Sequence, residues 1–383
     1  MEIKSIESAK INDNRPTVVV TGVTGQDGSH MVDYLLKKTD YIVYGAARRL
    51  SVANHSNIKH INDGRFVLFN MDVTDPHSIG KTISTLKPKY FINFAAQSFV
   101  GSSWDFPEQT WQTNCTAVLH MLEAIRQYHP TCRFYNAGSS EEMGDVIVSP
   151  QDETHPARPR SPYGASKVAA RQLVKVYRES YHLYAVQGWL FNHEGTRRGE
   201  EFVTRKITKS VVRIFNDLKK ERFIVPLLLG NVDSERDWGD SEDFVDAVWR
   251  MLNQEEYNSN FPTGNIMLPG ASQSRIVSNI KDYVVGTGEV HSIKEFVEEA
   301  FKNVGIYGQW EMTDRAGGEL AQFIGRVISS PIILAKTSPE FYRPADVNNL
   351  VANYSAIKND LGWAPTTTFK ELIKKMVSND LKA

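Results

Sequence analysis

Short apolar runs alternate with amphipathic stretches through the first half of the chain. Thr17-Val18-Val19-Val20-Thr21 is a β-branched run that stops at Gly22, the pattern of a strand buried on both faces. Ser29 to Lys38 follows with His30, Met31, Tyr34, Leu35 and Leu36 on its apolar side, which predicts a helix. The alternation repeats, with strands expected at Tyr41–Gly45, Phe66–Phe69, Tyr90–Phe94 and Arg133–Asn136, and helices at His77–Leu86 and Thr110–Tyr128. Another helix is expected from Tyr163 to Tyr181 and another strand from Leu183 to Leu190. Such alternation predicts an α/β fold, a Rossmann-like doubly wound parallel sheet.

Past about Asn192 the pattern loosens, which predicts a smaller C-terminal substrate lobe interleaved with the sheet. Residues 15–200 are expected to form the Rossmann domain and 201–383 mainly the second lobe. Two stretches are expected to return to the first domain: a helix near 243–252, and a strand followed by a helix near 283–301. Residues 254–280 hold Gly, Pro, Asn and Ser with little periodicity and read as a long loop or insertion. Residues 1–14 are polar and read as a disordered lead-in without the apolar core of a signal peptide.

Composition narrows the function classes. At 383 residues two lobes are expected, and 41% hydrophobic with 23% charged residues is ordinary for a globular protein. A net charge of −1 gives no reason to expect nucleic acid or a membrane surface as partner. The two cysteines, Cys115 and Cys132, point to a reducing, cytoplasmic setting rather than a disulfide framework. The ten histidines are scattered without metal-ligand spacing, so no metal is expected. No apolar run approaches the roughly 18–20 residues of a membrane span.

The first chemistry lies at the end of the first strand. Gly22, Val23, Thr24, Gly25, Gln26, Asp27 and Gly28 form a glycine turn opening a helix, as a dinucleotide pyrophosphate requires. After the second strand stand Arg48, Arg49 and Ser51, whose guanidinium groups suit a ribose 2′-phosphate and favour NADP over NAD. A solvated arginine pair is the plainer alternative. Asp72 and Val73 are placed to meet the adenine, and Phe94, Ala95, Ala96 and Ser98 to line the cofactor ribose. The two alanines serve equally well as small packing residues.

The second lies in the middle of the chain. Tyr163 and Lys167 share one helix face, so the ammonium is expected to hold the phenol partly ionised as a base. Ser139 and Glu141 end a sheet strand nearby, and the carboxylate adds a second acid/base. By spacing alone, a half-buried tyrosine beside a solvated lysine remains open.

Taken together, these motifs resemble the extended short-chain dehydrogenases/reductases, and within them the GDP-mannose 4,6-dehydratase family. The likeness runs through Gly22–Ser29, Ala95-Ala96-Gln97-Ser98, Pro159–Tyr163, Phe191-Asn192-His193-Glu194 and Arg197–Thr208. It continues in Leu229-Gly230-Asn231, Arg236-Asp237-Trp238, Tyr342–Val347 and Leu361-Gly362-Trp363. The resemblance implies Tyr163 as base, Lys167 as its tuner, Ser139 as hydroxyl partner and Glu141 as dehydration acid/base. It implies cofactor contacts from His193 and Arg198, and substrate contacts from Ser98, Asn192, Thr204, Lys206, Arg236, Arg343 and Asp346. It further implies NADP as cofactor, GDP-mannose as substrate, and a 4-keto-6-deoxy product leading to GDP-fucose or other GDP-6-deoxyhexoses. A homodimer or homotetramer is implied, with the Arg48–Ser51 loop near a neighbour's cofactor.

Four departures stand out: Ser139 for a threonine, Met143 for an aromatic residue, Gln109 for a cofactor-contacting tyrosine, and the length of 254–280. The alternatives are a GDP-heptose 4,6-dehydratase, a nucleotide-sugar 4-epimerase and a catalytically silent nucleotide-binding regulator. An epimerase needs no carboxylate at position 141.

Overall fold

The run Thr17–Thr21 forms β1, and its three valines have no exposed surface. Burying each such side chain stabilises the fold by about 1.5–3 kcal/mol. The computed structural model describes residues 3–11, 13–52, 54–254, 280–315, 318–327, 330–341 and 350–382. After a single helical turn, α1 (Ile6–Ala9), and β1 come α2 (Gln26–Lys38), β2 (Ile42–Ala47), β3 (Phe66–Asn70), α3 (Pro76–Leu86) and β4 (Tyr90–Asn93). Short α4 (Ser102–Asp105) and α5 (Pro107–Trp111) lead through one π-helical turn, Gln112–Thr116, into α6 (Ala117–Tyr128), β5 (Arg133–Ala137), α7 (Pro162–Tyr181) and β6 (Ala185–Leu190).

Beyond β6 lie β7 (Asn192–Glu194), α8 (Val203–Lys219), β8 (Leu227–Leu229), β9 (Glu235–Arg236), β10 (Trp238–Asp240) and α9 (Ser241–Leu252). Then follow β11 (Val284–Val285), β12 (His291–Ser292), α10 (Ile293–Lys302), β13 (Gly308–Arg315), β14 (Gly318–Val327) and β15 (Ser330–Thr337). Helices α11 (Ser355–Leu361) and α12 (Phe369–Asp380) complete the described chain.

Seven strands form one sheet in the order β11-β6-β5-β4-β1-β2-β3, every pair parallel. The order reverses between β1 and β4, which opens a crevice at the carboxyl ends of the strands. One apolar layer joins Met31 and Leu35 of α2 to Val248 and Met251 of α9. The opposite layer joins Ile79 and Ile83 of α3, Met121 and Ile125 of α6, and Val174 of α7. Helix starts follow local chemistry: Asp75 caps α3 ahead of Pro76, and Ser161 caps α7 ahead of Pro162.

The second lobe is built on an antiparallel meander, β13-β14-β15, extended by β8 parallel to β15. Ile207 and Val211 of α8, Phe296 and Phe301 of α10, and Leu372 and Met376 of α12 pack with Phe323 and Leu334 of the meander. The loosened sequence pattern did not foretell this sheet.

Three expectations about the chain's course change. Residues 3–11 are no disordered lead-in. Lys4 pairs with β3, its amide donating to the Leu68 carbonyl at 3.1 Å, and Ile6 and Ala9 are buried. Apolar side chains at 3, 6 and 9, separated by polar ones, supply that contact face. The 283–301 stretch divides: β11 joins the main sheet, whereas α10 belongs to the second core. A third return was not foreseen, since Ile357 and Trp363 join the first core and the indole donates to the Asp243 carbonyl at 3.0 Å. Of the 254–280 insertion, 255–279 lie outside the described residues. Its two ends are tied together, Gln254 Nε2 donating to the Lys281 carbonyl and Lys281 N to Gln254 Oε1, both at 2.9 Å.

Candidate active site

The glycine turn lies at the crevice. Gly22 has φ +64°, and a β-carbon there would stand 2.8 Å from the Ala95 amide nitrogen. A β-carbon on Gly28 would fall 2.3 Å from the Gly22 carbonyl oxygen. Both positions therefore require glycine. Helix α2 begins at Gly25 with no side chain capping it. Its first amides remain donors for an anion, so the turn fits a dinucleotide pyrophosphate.

A cluster of charges lies beneath this turn. His193 Nε2 is 3.0 Å from Asp27 Oδ2, and Gln26 Nε2 donates to the His193 carbonyl at 3.0 Å. Arg198 Nε lies 3.0 Å from Glu194 Oε2, and its guanidinium stacks 3.5 Å over the Phe202 ring centre. Burial alone would raise the Asp27 pKa, but His193 and Arg198 hold it well below the usual carboxylate range.

Arg48 and Arg49 follow β2 at its carboxyl end, are exposed and form no ion pair among the described residues. The Arg49 amide donates to Asn70 Oδ1 at 3.0 Å, and Ser51 is exposed on the same loop. Asp72 Oδ1 accepts from the Thr74 amide and hydroxyl, holding the turn that contains Val73. Phe94, Ala95, Ala96 and Ser98 follow β4 across from the glycine turn. Gln97 between them is clamped by Asn114, whose Oδ1 accepts from the Gln97 amide at 2.9 Å while Nδ2 donates to its carbonyl at 3.0 Å. Asn114 Nδ2 also donates to Ser166 Oγ at 3.3 Å, one turn from Tyr163. Asn114 was missed at the sequence level; an asparagine inside an otherwise good helix was its only signal.

Ser139 caps a single 3₁₀ turn, Ser140–Glu142, at the end of β5. Its hydroxyl accepts from the Glu141 amide at 3.2 Å and lies near enough to the Tyr163 phenol to pull its pKa down. Tyr163 and Lys167 are both buried on α7, the ammonium 5.6 Å from the tyrosine ring centre. Glu141 is part-exposed and close enough for its charge to act on the phenol. Glu142, its neighbour, is buried against Arg171. Of the two adjacent carboxylates, Glu141 is part-exposed and Glu142 is buried.

The Lys167 ammonium is hydrogen-bonded to β5, where the sequence expectation had set it against the Tyr163 phenol. Burial pushes the Tyr163 phenol above its ordinary value; the Ser139 hydroxyl opposes this, while Glu141 and Glu142 add to it. The Lys167 ammonium donates instead to the Ala137 carbonyl at 2.8 Å, and burial lowers its own pKa to about 8.

The other residues expected at the substrate site are spread over both lobes. Asn192 is part-buried in β7, and Arg236 is part-buried in β9 with Nη1 donating to the Glu235 carbonyl at 2.6 Å. Lys206 Nζ sits 3.6 Å over the Phe341 ring centre. Thr204 is fully buried and donates to Glu194 Oε2 at 2.5 Å, so its hydroxyl braces the Glu194–Arg198 pair. Arg343 and Asp346 lie outside the described residues. Gln109 is exposed on α5, and Met143 is fully buried beside Phe191 and Val284 as a packing residue.

The sequence profile described as GDP-mannose 4,6 dehydratase matches residues 19–267 and 273–376. The GDP-mannose 4,6 dehydratase of Drosophila melanogaster is 38% identical, over 98% of this chain and 89% of that one. The Homo sapiens GDP-mannose 4,6 dehydratase is 37% identical over 96% of this chain and 92% of its own. Among solved structures, a UDP-glucose 4-epimerase with UDP-glucose from Thermotoga maritima superposes with a TM-score of 0.72 at 23% identity, covering 96% of this chain and 99% of that one. At that identity the likeness is one of fold.

Proposed function

Since the chain belongs to the GDP-mannose 4,6-dehydratase family, we propose that Ser139, Glu141, Tyr163 and Lys167 are its catalytic residues. The enzyme is a nucleotide-sugar hydro-lyase that converts GDP-mannose to GDP-4-keto-6-deoxymannose and water. The observation that carries the residue assignment is the 3₁₀ turn. It presents a hydroxyl and a part-exposed carboxylate beside one buried phenol, while the next carboxylate is locked to Arg171.

When bound, NADP would supply reversible hydride chemistry between C4 and C6 of the mannose. Residues of the glycine turn would hold its pyrophosphate, Arg48 and Arg49 its 2′-phosphate, and Lys167 its nicotinamide ribose. Tyr163 takes the proton of the 4-hydroxyl as C4 is oxidised, with Ser139 holding O4. The positive charge of a bound cofactor and a hydrogen bond donated by the substrate hydroxyl would favour the phenolate, against the burial that raises the phenol. The new 4-ketone acidifies the C5 proton. Glu141 removes that proton and passes it to the C6 hydroxyl, which leaves as water. Once C6 has been reduced, Tyr163 returns its proton to C5 and the product keeps the 4-ketone.

Asn192, Lys206 and Arg236 border the sugar-nucleotide, arginine suiting the diphosphate by its planar fork. Self-association is supported by the exposed aromatics Trp104, Phe106 and Trp111 of α4 and α5. Light scattering that gave only monomer would remove that part of the reading. Among the described residues no helix is long and apolar enough to cross a membrane. The deciding experiment is incubation with GDP-mannose and mass spectrometry of the sugar nucleotide. Loss of one water is the expected result; unchanged mass or a mere epimer would refute the assignment.

A further inference from the structure

We propose that Glu142 is a positioning residue of the dehydration site, acting through the Ser139–Glu141 turn it folds back upon. The inference rests on the reading of that turn as catalytic. Nothing in the sequence had distinguished Glu142 from a surface carboxylate, yet it is 1% exposed.

Both oxygens of its carboxylate accept hydrogen bonds. Oε1 accepts from the Ser139 amide at 2.9 Å, Gln187 Nε2 at 3.1 Å and Arg171 Nη2 at 3.2 Å, and Oε2 accepts from Arg171 Nε at 2.5 Å. The first of these closes the turn on itself: Ser139 caps the amide of Glu141, and Glu142 caps the amide of Ser139. Room for this exists only because residue 138 is glycine, where a β-carbon would lie 2.6 Å from Glu142 Oε1.

The clamp is anchored beyond the turn. Arg171 stacks 3.4 Å over the Trp189 ring centre and donates to the Gln187 carbonyl at 2.8 Å. Gln187 then begins a buried hydrogen-bonded row across the sheet. Asn136 Nδ2 donates to Gln187 Oε1 at 2.6 Å, Asn93 Nδ2 to Asn136 Oδ1 at 2.8 Å, and Thr21 Oγ1 to Asn93 Oδ1 at 2.5 Å. Thr21 is the residue before Gly22. The row runs from the end of β1 through β4 and β5 to Gln187 of β6, so the clamp sets the dehydration turn in register with the cofactor turn.

A positioning role and a merely structural one separate in two variants. In Glu142→Leu/Arg171→Met the buried charges leave together, and Asp282 keeps Arg178 at 2.8 and 3.1 Å, so no charge is orphaned. This variant loses the acceptor for the Ser139 amide. Glu142→Gln keeps that acceptor but loses the charge and sets an amide donor against Arg171 Nε. The double variant should melt within a few degrees of wild type, with KM for GDP-mannose within about threefold and kcat down at least about thirtyfold. Glu142→Gln should retain more kcat, and the rising limb of its pH profile should move to lower pH, because a negative charge near Tyr163 has gone. Wild-type kcat in the double variant would overturn the proposal. So would losses of kcat that simply follow losses of melting temperature in both. Absence of turnover by the wild-type enzyme on GDP-mannose would instead refute the underlying reading of the site.

Discussion

His193 stands between two acceptors, its Nε2 3.0 Å from Asp27 Oδ2 and its Nδ1 2.7 Å from the Phe191 carbonyl. Both ring nitrogens donate only in the imidazolium, so the pair is a charged link between the cofactor turn and β7. Burial lowers the His193 pKa, but the Asp27 charge outweighs it and the net shift is upward from 6.5. The stabilisation from His193 is therefore full below about pH 6.5 and is lost as pH rises through its raised folded value. Asp27 is depressed, so its share is present above the ordinary carboxylate value and is lost only in strong acid. Asp27→Asn should drop the His193 pKa below its ordinary value, because burial and the Arg198 charge then outweigh the Phe191 carbonyl. Ring-proton NMR titration reads this directly; an unchanged His193 value would contradict it.

Glu141→Gln should stop the loss of water while leaving C4 oxidation possible. A drop in kcat of about 10²–10⁴ is expected. Mixing the NADP-loaded variant with GDP-mannose should produce a 340 nm absorbance, expected at about one equivalent per site or less, that then persists. Full turnover would exclude Glu141 as the dehydration acid/base.

Tyr163→Phe should remove the first oxidation itself, so no such absorbance appears. In the cofactor-free wild type, burial keeps this phenol protonated past its ordinary value of 10.0. Difference titration at 295 nm between wild type and Tyr163→Phe should show no ionisation of this residue below about pH 10. With NADP bound, kcat/KM should rise with pH through the neutral range, since phenolate is the working base. A flat profile would mean that the phenol is already ionised.

Gly28→Ala drives a β-carbon to 2.3 Å from the Gly22 carbonyl, and backbone cannot step aside as a side-chain tip can. A loss of more than about 2 kcal/mol in stability is expected, together with loss of NADP binding. Gly25→Ala meets its nearest atom at 3.2 Å and should be milder. Chemical denaturation and cofactor titration of the two variants order them; equal behaviour would show that the close approach is not the constraint.

Removing both guanidinium groups in Arg48→Ala/Arg49→Ala should weaken NADP about 10- to 100-fold while leaving NAD within a few-fold. The ratio of the two dissociation constants is the measurement. An unchanged ratio would place the 2′-phosphate elsewhere.

What the sequence disclosed was local. Three consecutive valines and a glycine turn are read within a dozen residues, and the structure keeps them where the pattern placed them. Arg48 and Arg49 were likewise visible because a strand end precedes them. What stayed hidden depends on partners far along the chain. Lys167 looks like a companion of Tyr163 four residues away, yet its hydrogen bond is to the Ala137 carbonyl of β5. Thr204 reads as a sugar ligand by position, but its hydroxyl is spent on Glu194. Glu142 could not be told from Glu141 until Arg171 of α7 closed upon it. The meander of the second lobe escaped because the polar and small residues interspersed through Gly308–Arg315 dilute the apolar alternation.

The β11 strand has a bearing on how the molecule is made. It is the outer strand of the nucleotide-binding sheet, yet it is synthesised only after α8, α9 and the first strands of the second lobe. Trp363 of the same core emerges later still. On the ribosome the first lobe cannot close its apolar layer until nearly the whole chain has been released. Such sequence-distant pairing slows folding and leaves β6 temporarily an open edge. A truncation placed at residue 252 would therefore leave an incomplete sheet in place of a working cofactor domain.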